Sequence, residues 1–399
     1  MDRTQRKSIA ILMPALIAFS MGQTVLFALI GPVARDVGLS EFQVGLIVAS
    51  AAFVFVIASP LWGNISDRWG RKNTIVFGLT SYGIISTLFA LTLGAGLDGF
   101  LAATTTFFLL LFLRMTYAAL GAGIQPSATG FMADVSSAHD RSAAVALVGA
   151  SFGIGSILGP AAAAALVGFG LLTPLFVIAA FGLIMAALCF TFLDEPKRVG
   201  QGEEASDAFS YQTILPYLVV AFCLFTVFAI LQQTIAFYVQ DFLKSDAMTA
   251  ARNTGYCFMT LAFTSLLVQG GIIQALKPKA ETLLLSGFPI FLLGLSLYTF
   301  ASAFWHIIAA TAIMGIAFGL INPGITAAVS LRTNDRTQGQ AAGYVQSAMS
   351  MGFIVGPLVG TGLYQISPTY TSALAGMMLL AGFAVVVATT RLNHGASAN

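Results

Sequence analysis

"GNISDRWGRK", residues 63–72, sets four charged side chains within ten residues of a chain that is only 9% charged overall. Apolar stretches of more than twenty residues flank it on both sides, and the same alternation of apolar run and short charged break continues to both ends. The 399 residues are 57% hydrophobic, with 33 Phe and 40 Gly; the mean hydropathy is +0.88. Soluble domains carry about a quarter charged residues, so this chain has too few polar side chains to cover a water-facing surface. Runs of about 20 apolar residues are long enough to cross roughly 30 Å of hydrocarbon. The chain reads as an all-α polytopic protein of a lipid bilayer. A net charge of +2 leaves no electrostatic footprint for nucleic acid.

Counting runs bounded by charge or by Gly/Pro clusters predicts twelve spans. The first six lie near 8–33, 43–65, 74–96, 101–133, 142–168 and 171–193. The second six lie near 213–240, 252–276, 282–303, 305–331, 338–365 and 370–390. "MDRTQRK" has the basic flank of a signal peptide, but the run after it is about twice the length of a cleavable one, so it is expected to stay as the first helix. Fourteen of the 18 Lys and Arg fall on the N-terminal side, Lys197, Arg198 and Arg336 among them. Arg35, Lys244 and Arg252 fall on the other side, and Arg114 lies within a span. This bias places both termini, and GNISDRWGRK, in the cytoplasm of a cell (inner) membrane protein. The longest polar segment, 194–212, is expected to be a partly disordered cytoplasmic linker between six-helix bundles at 1–193 and 213–399. Cys189, Cys223 and Cys257 all sit in apolar runs with no C-x-x-C pair, so they are read as buried; no metal or cofactor is expected.

The halves repeat. Pro126 and Pro323, Gly155 and Gly352, Gly159 and Gly356, Pro160 and Pro357, and Ala163 and Gly360 are all separated by 197 residues. Several coincidences at one offset point to duplication of a six-span unit, an architecture of transporters that hold substrate near the bilayer midplane. The ladders Gly155/Gly159/Ala163 and Gly352/Gly356/Gly360 step by four and line one helix face, which allows close helix approach. Pro160 and Pro357 follow the second glycine of each ladder.

With the duplication in view, GNISDRWGRK resembles the span 2–3 motif of the major facilitator superfamily, G-x-x-x-D-R-x-G-R-[KR], at every defined position. Within it the chain resembles the drug/proton antiporters that include tetracycline and multidrug exporters. The resemblance implies a fold of two pseudo-symmetric six-helix bundles, and a conformational latch on the cytoplasmic side carried by Gly63, Asp67, Arg68, Gly70, Arg71 and Asp134. The residues agree with such a role. Gly63 suits close approach of a neighbouring helix, Asp67 suits a helix N-terminus, Arg71 suits Asp134 at the end of span 4, and Gly70 suits a tight turn. The counterpart "GGIIQALKPK", 270–279, has Gln274 where Asp67 stands, so the latch is expected to be one-sided.

Arg114, in "LLLFLRMTYAALGAG", is the one clear charge inside a span. An unpaired cation at that depth costs at least ~2.5–3.5 kcal/mol, so it should face a wet cavity or a partner. Gly121 and Gln125 fall on the same face of a continuous helix. The family's span 4 motif has an Arg that Arg114 matches, but Tyr117-Ala118 stands where Gln-Gly is usual. The span 5 motif ends Gly159-Pro160-Ala161-Ala162-Ala163-Ala164 in place of G-P-x-x-G-G. Further polar groups inside spans are Gln23, Thr24, Gln232, Gln233, Asn322, Gln346 and Ser350, set among Phe27, Phe237 and Phe353. Of the 16 acids none falls inside a span; Asp36, Asp134 and Asp241 lie at span ends.

Together these features lead to the expectation of a monomeric secondary transporter: a proton-coupled exporter of small amphipathic compounds, neutral or anionic ones favoured, working by alternating access. A coupling proton would ride on a mouth carboxylate such as Asp36 or on the substrate. An importer or facilitator of a small organic anion is the alternative on the same fold. Neither H-E-x-x-H, paired acids inside spans, nor a P-loop is present, so membrane-embedded enzymes and nucleotide-driven pumps are disfavoured.

Overall fold

The computed structural model describes residues 3–137, 140–196, 211–334 and 337–397. Lys197, Arg198, Arg336 and most of the 194–212 segment lie outside the described residues. Among the described residues, twelve helices are long and apolar enough to cross a bilayer. They are α1 (Arg6–Asp36), α2 (Glu41–Trp69), α3 (Arg71–Leu97), α4 (Ala103–Asp134), α5 (Ala143–Phe169) and α6 (Thr173–Phe192). Then follow α7 (Leu215–Leu243), α8 (Ala247–Leu276), α9 (Ala280–Thr299), α10 (Phe304–Ser330), α11 (Gln338–Ile366) and α12 (Pro368–Arg391). Hydrocarbon offers no partners to backbone N–H and C=O groups, so a spanning segment must be helical along its length. Arg252, expected to open the eighth span, lies in the second turn of α8.

The chain forms two compact units, Met1–Gly202 with Val239–Gly255, and Glu203–Tyr238 with Tyr256–Asn399. In the first, α5 lies along α1 because its glycines leave room for it. A Cβ at Gly155 would sit 2.5 Å from Ser20 Cβ, and one at Gly159 would sit 2.7 Å from the Met21 carbonyl oxygen. The Ser20 hydroxyl donates to the Phe152 carbonyl at 2.7 Å, and Thr24 Oγ1 donates to the Gly155 carbonyl at 3.4 Å. The second unit makes the same seam between α11 and α7. A Cβ at Gly352 would lie 2.7 Å from Thr226 N, and one at Gly356 would lie 2.8 Å from the Thr226 carbonyl oxygen. With little hydrophobic drive between helices in lipid, such backbone-to-backbone contact is what holds them together.

Two helices depart from a regular ladder. α4 consists of Ala103–Gly121 and Ile124–Asp134, with a break at Ala122-Gly123. α8 passes into a wide π turn at Val268–Ile272 before its last helical turn, Ile273–Leu276, and ends on Lys277 with φ 45°. A Cβ at Gly270 or Gly271 would meet nothing within 4 Å.

Replacing Gly155 or Gly352 by Leu is expected to destabilise the detergent-solubilised protein by about 1–3 kcal/mol through overpacking. Gly149→Leu, at a position where a Cβ meets nothing within 4 Å, should shift thermal unfolding by no more than about 0.5 kcal/mol.

Candidate functional site

The first unit buries a cation. Arg114 is 7% exposed, and its Nη2 donates to Gln23 Oε1 at 3.3 Å. Its Cζ stands 4.5 Å from the Tyr117 ring centroid, a cation–π placement one helical turn along α4. No ion pair joins Arg114 to an acid among the described residues, and its Nε makes no hydrogen bond there. Arg114 and Tyr117 line a cavity with Gly22, Ser86, Phe89 and Leu175 among its walls. About 20 Å³ of it is open to the centre of a water molecule, room for roughly one such molecule.

Tyr82 supports this arrangement. It is 1% exposed, meets the Tyr117 ring edge-on at 5.8 Å and Phe19 at 5.6 Å, and its hydroxyl donates to the Ile178 carbonyl at 3.5 Å. A Cβ at Gly22 or Gly182 would run into the Tyr82 ring or its hydroxyl. Sequence reasoning missed Tyr82; its only signal was a tyrosine in an apolar run faced by two distant glycines.

Several expected members of the site lie elsewhere. Gln125 is exposed and does not line the cavity. The Thr24 hydroxyl is used by the Ser20, Met21 and Gly155 carbonyls in the α1–α5 seam. In the second unit Gln232 lines a separate apolar cavity with Phe228, Phe318 and Thr311. Gln233 is 1% exposed with neither amide atom hydrogen-bonded. Phe237 is buried with its ring 5.9 Å from that of Tyr364. Phe353 belongs to another aromatic group, 5.7 Å from Phe225 and 6.2 Å from Phe228. Asn322 and Ser350 are half-buried, Gln346 is exposed, and Asp36 is exposed at the end of α1.

GNISDRWGRK forms two helix ends and a joint. Gly70, at φ 111°, is the single residue between α2 and α3, a conformation that L side chains rarely adopt. Arg71 reaches back across that joint to Asp67 (2.7 Å) and the Ser66 hydroxyl (3.2 Å), and sideways to Asp134 (3.4 Å). Gly130 gives the guanidinium its room. Arg68 is exposed. A side chain at Gly63 would meet nothing within 4 Å, so the close helix approach expected there is not made in this structure.

The sequence did not point to Glu195. Its carboxylate accepts the backbone N–H groups of Arg71 (2.6 Å) and Lys72 (3.0 Å), closing the N-terminus of α3 with a negative charge. It lies against Gly70, where an added Cβ would come within 3.0 Å of it. Asp194 beside it pairs with Lys7 at 3.0 Å, an exposed contact worth at most about 1 kcal/mol. The segment expected to be a loose linker therefore begins with two anchored residues.

At the opposite helix ends Arg35 is a hub. Its guanidinium donates to Glu41 Oε1 at 3.0 and 2.7 Å, to both Asp241 oxygens at 2.6 and 3.0 Å, and to Gln240 Oε1 at 3.3 Å. This fork joins α1, α2 and the end of α7, all within the first unit. Five residues past Asp241, the Thr249 hydroxyl and N–H hold the Asp246 carboxylate below its usual pKa range, at the start of α8.

Among the described residues, twelve membrane-length helices with a duplicated glycine seam and a buried arginine beside a small cavity make a transporter scaffold. Residues 12–289 and 253–398 match the Major Facilitator Superfamily model. The chain belongs to that family. It is 26% identical over 377 residues to multidrug resistance protein 2 of Bacillus subtilis, covering 90% of this chain and 89% of that protein. It is 25% identical over 364 residues to the quinolone resistance protein NorA of Staphylococcus aureus, covering 87% and 88%. Its fold is similar to an inward-facing, occupied crystal structure of a bacterial homolog of the human lysosomal transporter Spinster (TM-score 0.80, 14% identity, 98% of each chain). It is also similar to the human organic anion transporter MFSD10 (TM-score 0.67, 18% identity, 97% and 100%).

Arg71→Gln is expected to cost about 3–5 kcal/mol, since it leaves Asp134 half-buried without its cation. Arg71→Gln/Asp134→Asn should cost clearly less than the two single changes added together. Thermal unfolding of the four proteins measures this coupling.

Proposed function

We propose that the protein is a proton-coupled exporter of small amphipathic compounds, neutral or anionic ones favoured, that works as a monomer by alternating access. The observation that carries the substrate preference is Arg114: a buried guanidinium that meets a neutral amide and an aromatic face but no carboxylate. A site with that electrostatic character penalises a cation and rewards a negative or polar group. The names of the Bacillus and Staphylococcus relatives, multidrug and quinolone resistance proteins, support export.

In this reading Arg114, Tyr117 and Gln23 supply polar contacts in the first unit, and Gln232, Gln233, Asn322, Gln346 and Ser350, with the Phe237 ring, are the substrate-facing residues proposed in the second. Asp36 is the proton carrier, at a helix end beside the Arg35 hub. Gly63, Asp67, Arg68, Gly70, Arg71 and Asp134 form the latch, with Glu195 as a further member. The seam glycines Gly155, Gly159, Gly352 and Gly356, with Pro160 and Pro357, keep each bundle stiff while it moves. Both termini face the cytoplasm.

In proteoliposomes carrying a pH gradient, Arg114→Ala is expected to lower flux of anionic probes about 10- to 100-fold, the worth of one charge-assisted contact. Cationic dye flux should change by less than about threefold. Equal flux of cationic and anionic analogues, unchanged in Arg114→Ala, overturns the preference. Transport that ignores the pH gradient overturns the coupling. For orientation, Phe100→Cys between α3 and α4 should react with an impermeant maleimide in intact cells, and Ser137→Cys after α4 should react only after lysis.

A further inference from the structure

We infer that Arg35, Glu41 and Asp241 form a release-ready lock on a cap, residues 239–255, that leaves the first unit during transport: Asp241 departs with the cap and Glu41 keeps the guanidinium. Such a lock has a use only in a transporter that works by alternating access, as proposed above. On the topology proposed there, the cap lies on the outer face.

The chain changes unit inside two helices. α7 belongs to the second unit as far as Tyr238, Val239–Gly255 belong to the first, and α8 returns to the second at Tyr256. The cap is thus the end of α7, a turn with Lys244 at φ 47°, and the first turns of α8. Small residues seat it. Ala247, Ala250, Ala251 and Thr254 are buried, and a Cβ at Gly255 would lie 2.8 Å from the Pro160 carbonyl oxygen and 2.9 Å from Ala164 Cβ. Ala164 stands where the span 5 motif has its last glycine, and Gly255 opposite it leaves room for that methyl. The seat is not fully satisfied: the Ser245 and Thr254 hydroxyls are buried without a hydrogen-bond partner among the described residues. Water would pair both once the cap lifts, which offsets part of the packing lost.

Arg35 uses two edges of its guanidinium for two acids. Nε and Nη2 donate to Glu41 Oε1 at 3.0 and 2.7 Å, while Nη1 and Nη2 donate to Asp241 Oδ1 and Oδ2 at 2.6 and 3.0 Å. Glu41 is the first residue of α2 and Asp241 lies on the cap. The Glu41 side chain is 17% exposed and that of Asp241 47%, so Asp241 is the one with a path to water. Two carboxylates on one guanidinium repel each other, so Glu41 weakens the hold on Asp241. When Asp241 leaves, Glu41 still pairs the partly buried cation, which removes the main penalty of breaking an ion pair. Neutralising Glu41 reverses both effects and tightens the cap, whereas neutralising Asp241 frees it. The two acids on one arginine therefore act with opposite sign.

The test reads how fast Thr254→Cys reacts with a maleimide in the purified, detergent-solubilised full chain, with Cys189, Cys223 and Cys257 changed to Ala. Thr254 is 0% exposed, so the thiol reacts when the cap has lifted, and the rate follows the lifted population. Asp241→Asn should speed labelling about three- to fivefold, the worth of a half-exposed ion pair. Glu41→Gln should slow it about threefold. Should Glu41→Gln fail to fold, Glu41→Asp keeps the charge at the start of α2 but shortens the reach to Arg35, and it should slow labelling about twofold. Neutralisations that act in the same direction, or a rate that Glu41→Gln leaves unchanged, make the fork a plain structural contact and overturn the lock while alternating access stands. A Thr254→Cys thiol that stays unlabelled in every variant, in protein that still transports in proteoliposomes, overturns the lifting cap and alternating access through this face with it.

Discussion

A polypeptide in hydrocarbon finds no water to bond its N–H and C=O groups, and each one left unpaired there costs several kcal/mol. That constraint decides most of this molecule. It makes the twelve spans helical, drives charge to their ends, and leaves small-residue contact as the means by which helices stay together. Each place where the chain breaks the pattern is therefore informative: a guanidinium inside α4, a glycine joint between α2 and α3, an arginine fork at the end of α1.

Duplication supplied two copies of one solution, and the copies have diverged in chemistry more than in shape. The α1–α5 and α7–α11 seams place glycines against the same kind of backbone surface at one offset. The cavities at Arg114 and Thr311 occupy the same offset too. Yet one wall carries a charge and the other is apolar, and the Asp67 of one bundle is Gln274 in the other. Backbone fit is constrained by both copies of the scaffold, whereas polar side chains answer to whatever each copy must handle.

Span count and seam glycines were legible in the sequence because apolar run length and i, i+4 spacing are local quantities. The Arg71–Asp134 pair was legible because motif and helix end bring opposite charges to the same membrane face. Gln125 shares a helix face with Arg114 by spacing yet is exposed outside the cavity, because periodicity along one helix does not say what packs against each turn. Glu195, 124 residues from Arg71, and Asp241, 206 residues from Arg35, carry no periodic signature, since each contact depends on how helices far apart in the chain are brought together. Tyr82 escaped notice for the same reason; its cradle is made by Gly22 and Gly182 on two other helices.

The α2–α3 joint and the end of α8 differ mechanically. At Gly70 one residue turns the chain, with Arg71 bridging to α2 and α4 and Glu195 fastened to the next helix. Tilting α2 against α3 would tear several charged contacts at once, so the two move as one stiff bracket. The close of α8 has a widened turn, two glycines surrounded by open space, and a left-handed lysine. Val268 in that turn is nonetheless buried against Leu283 and Leu320, so only the glycine side is open. The first joint is thus held by charged contacts and the second by apolar contact alone, at Val268 and Ile273.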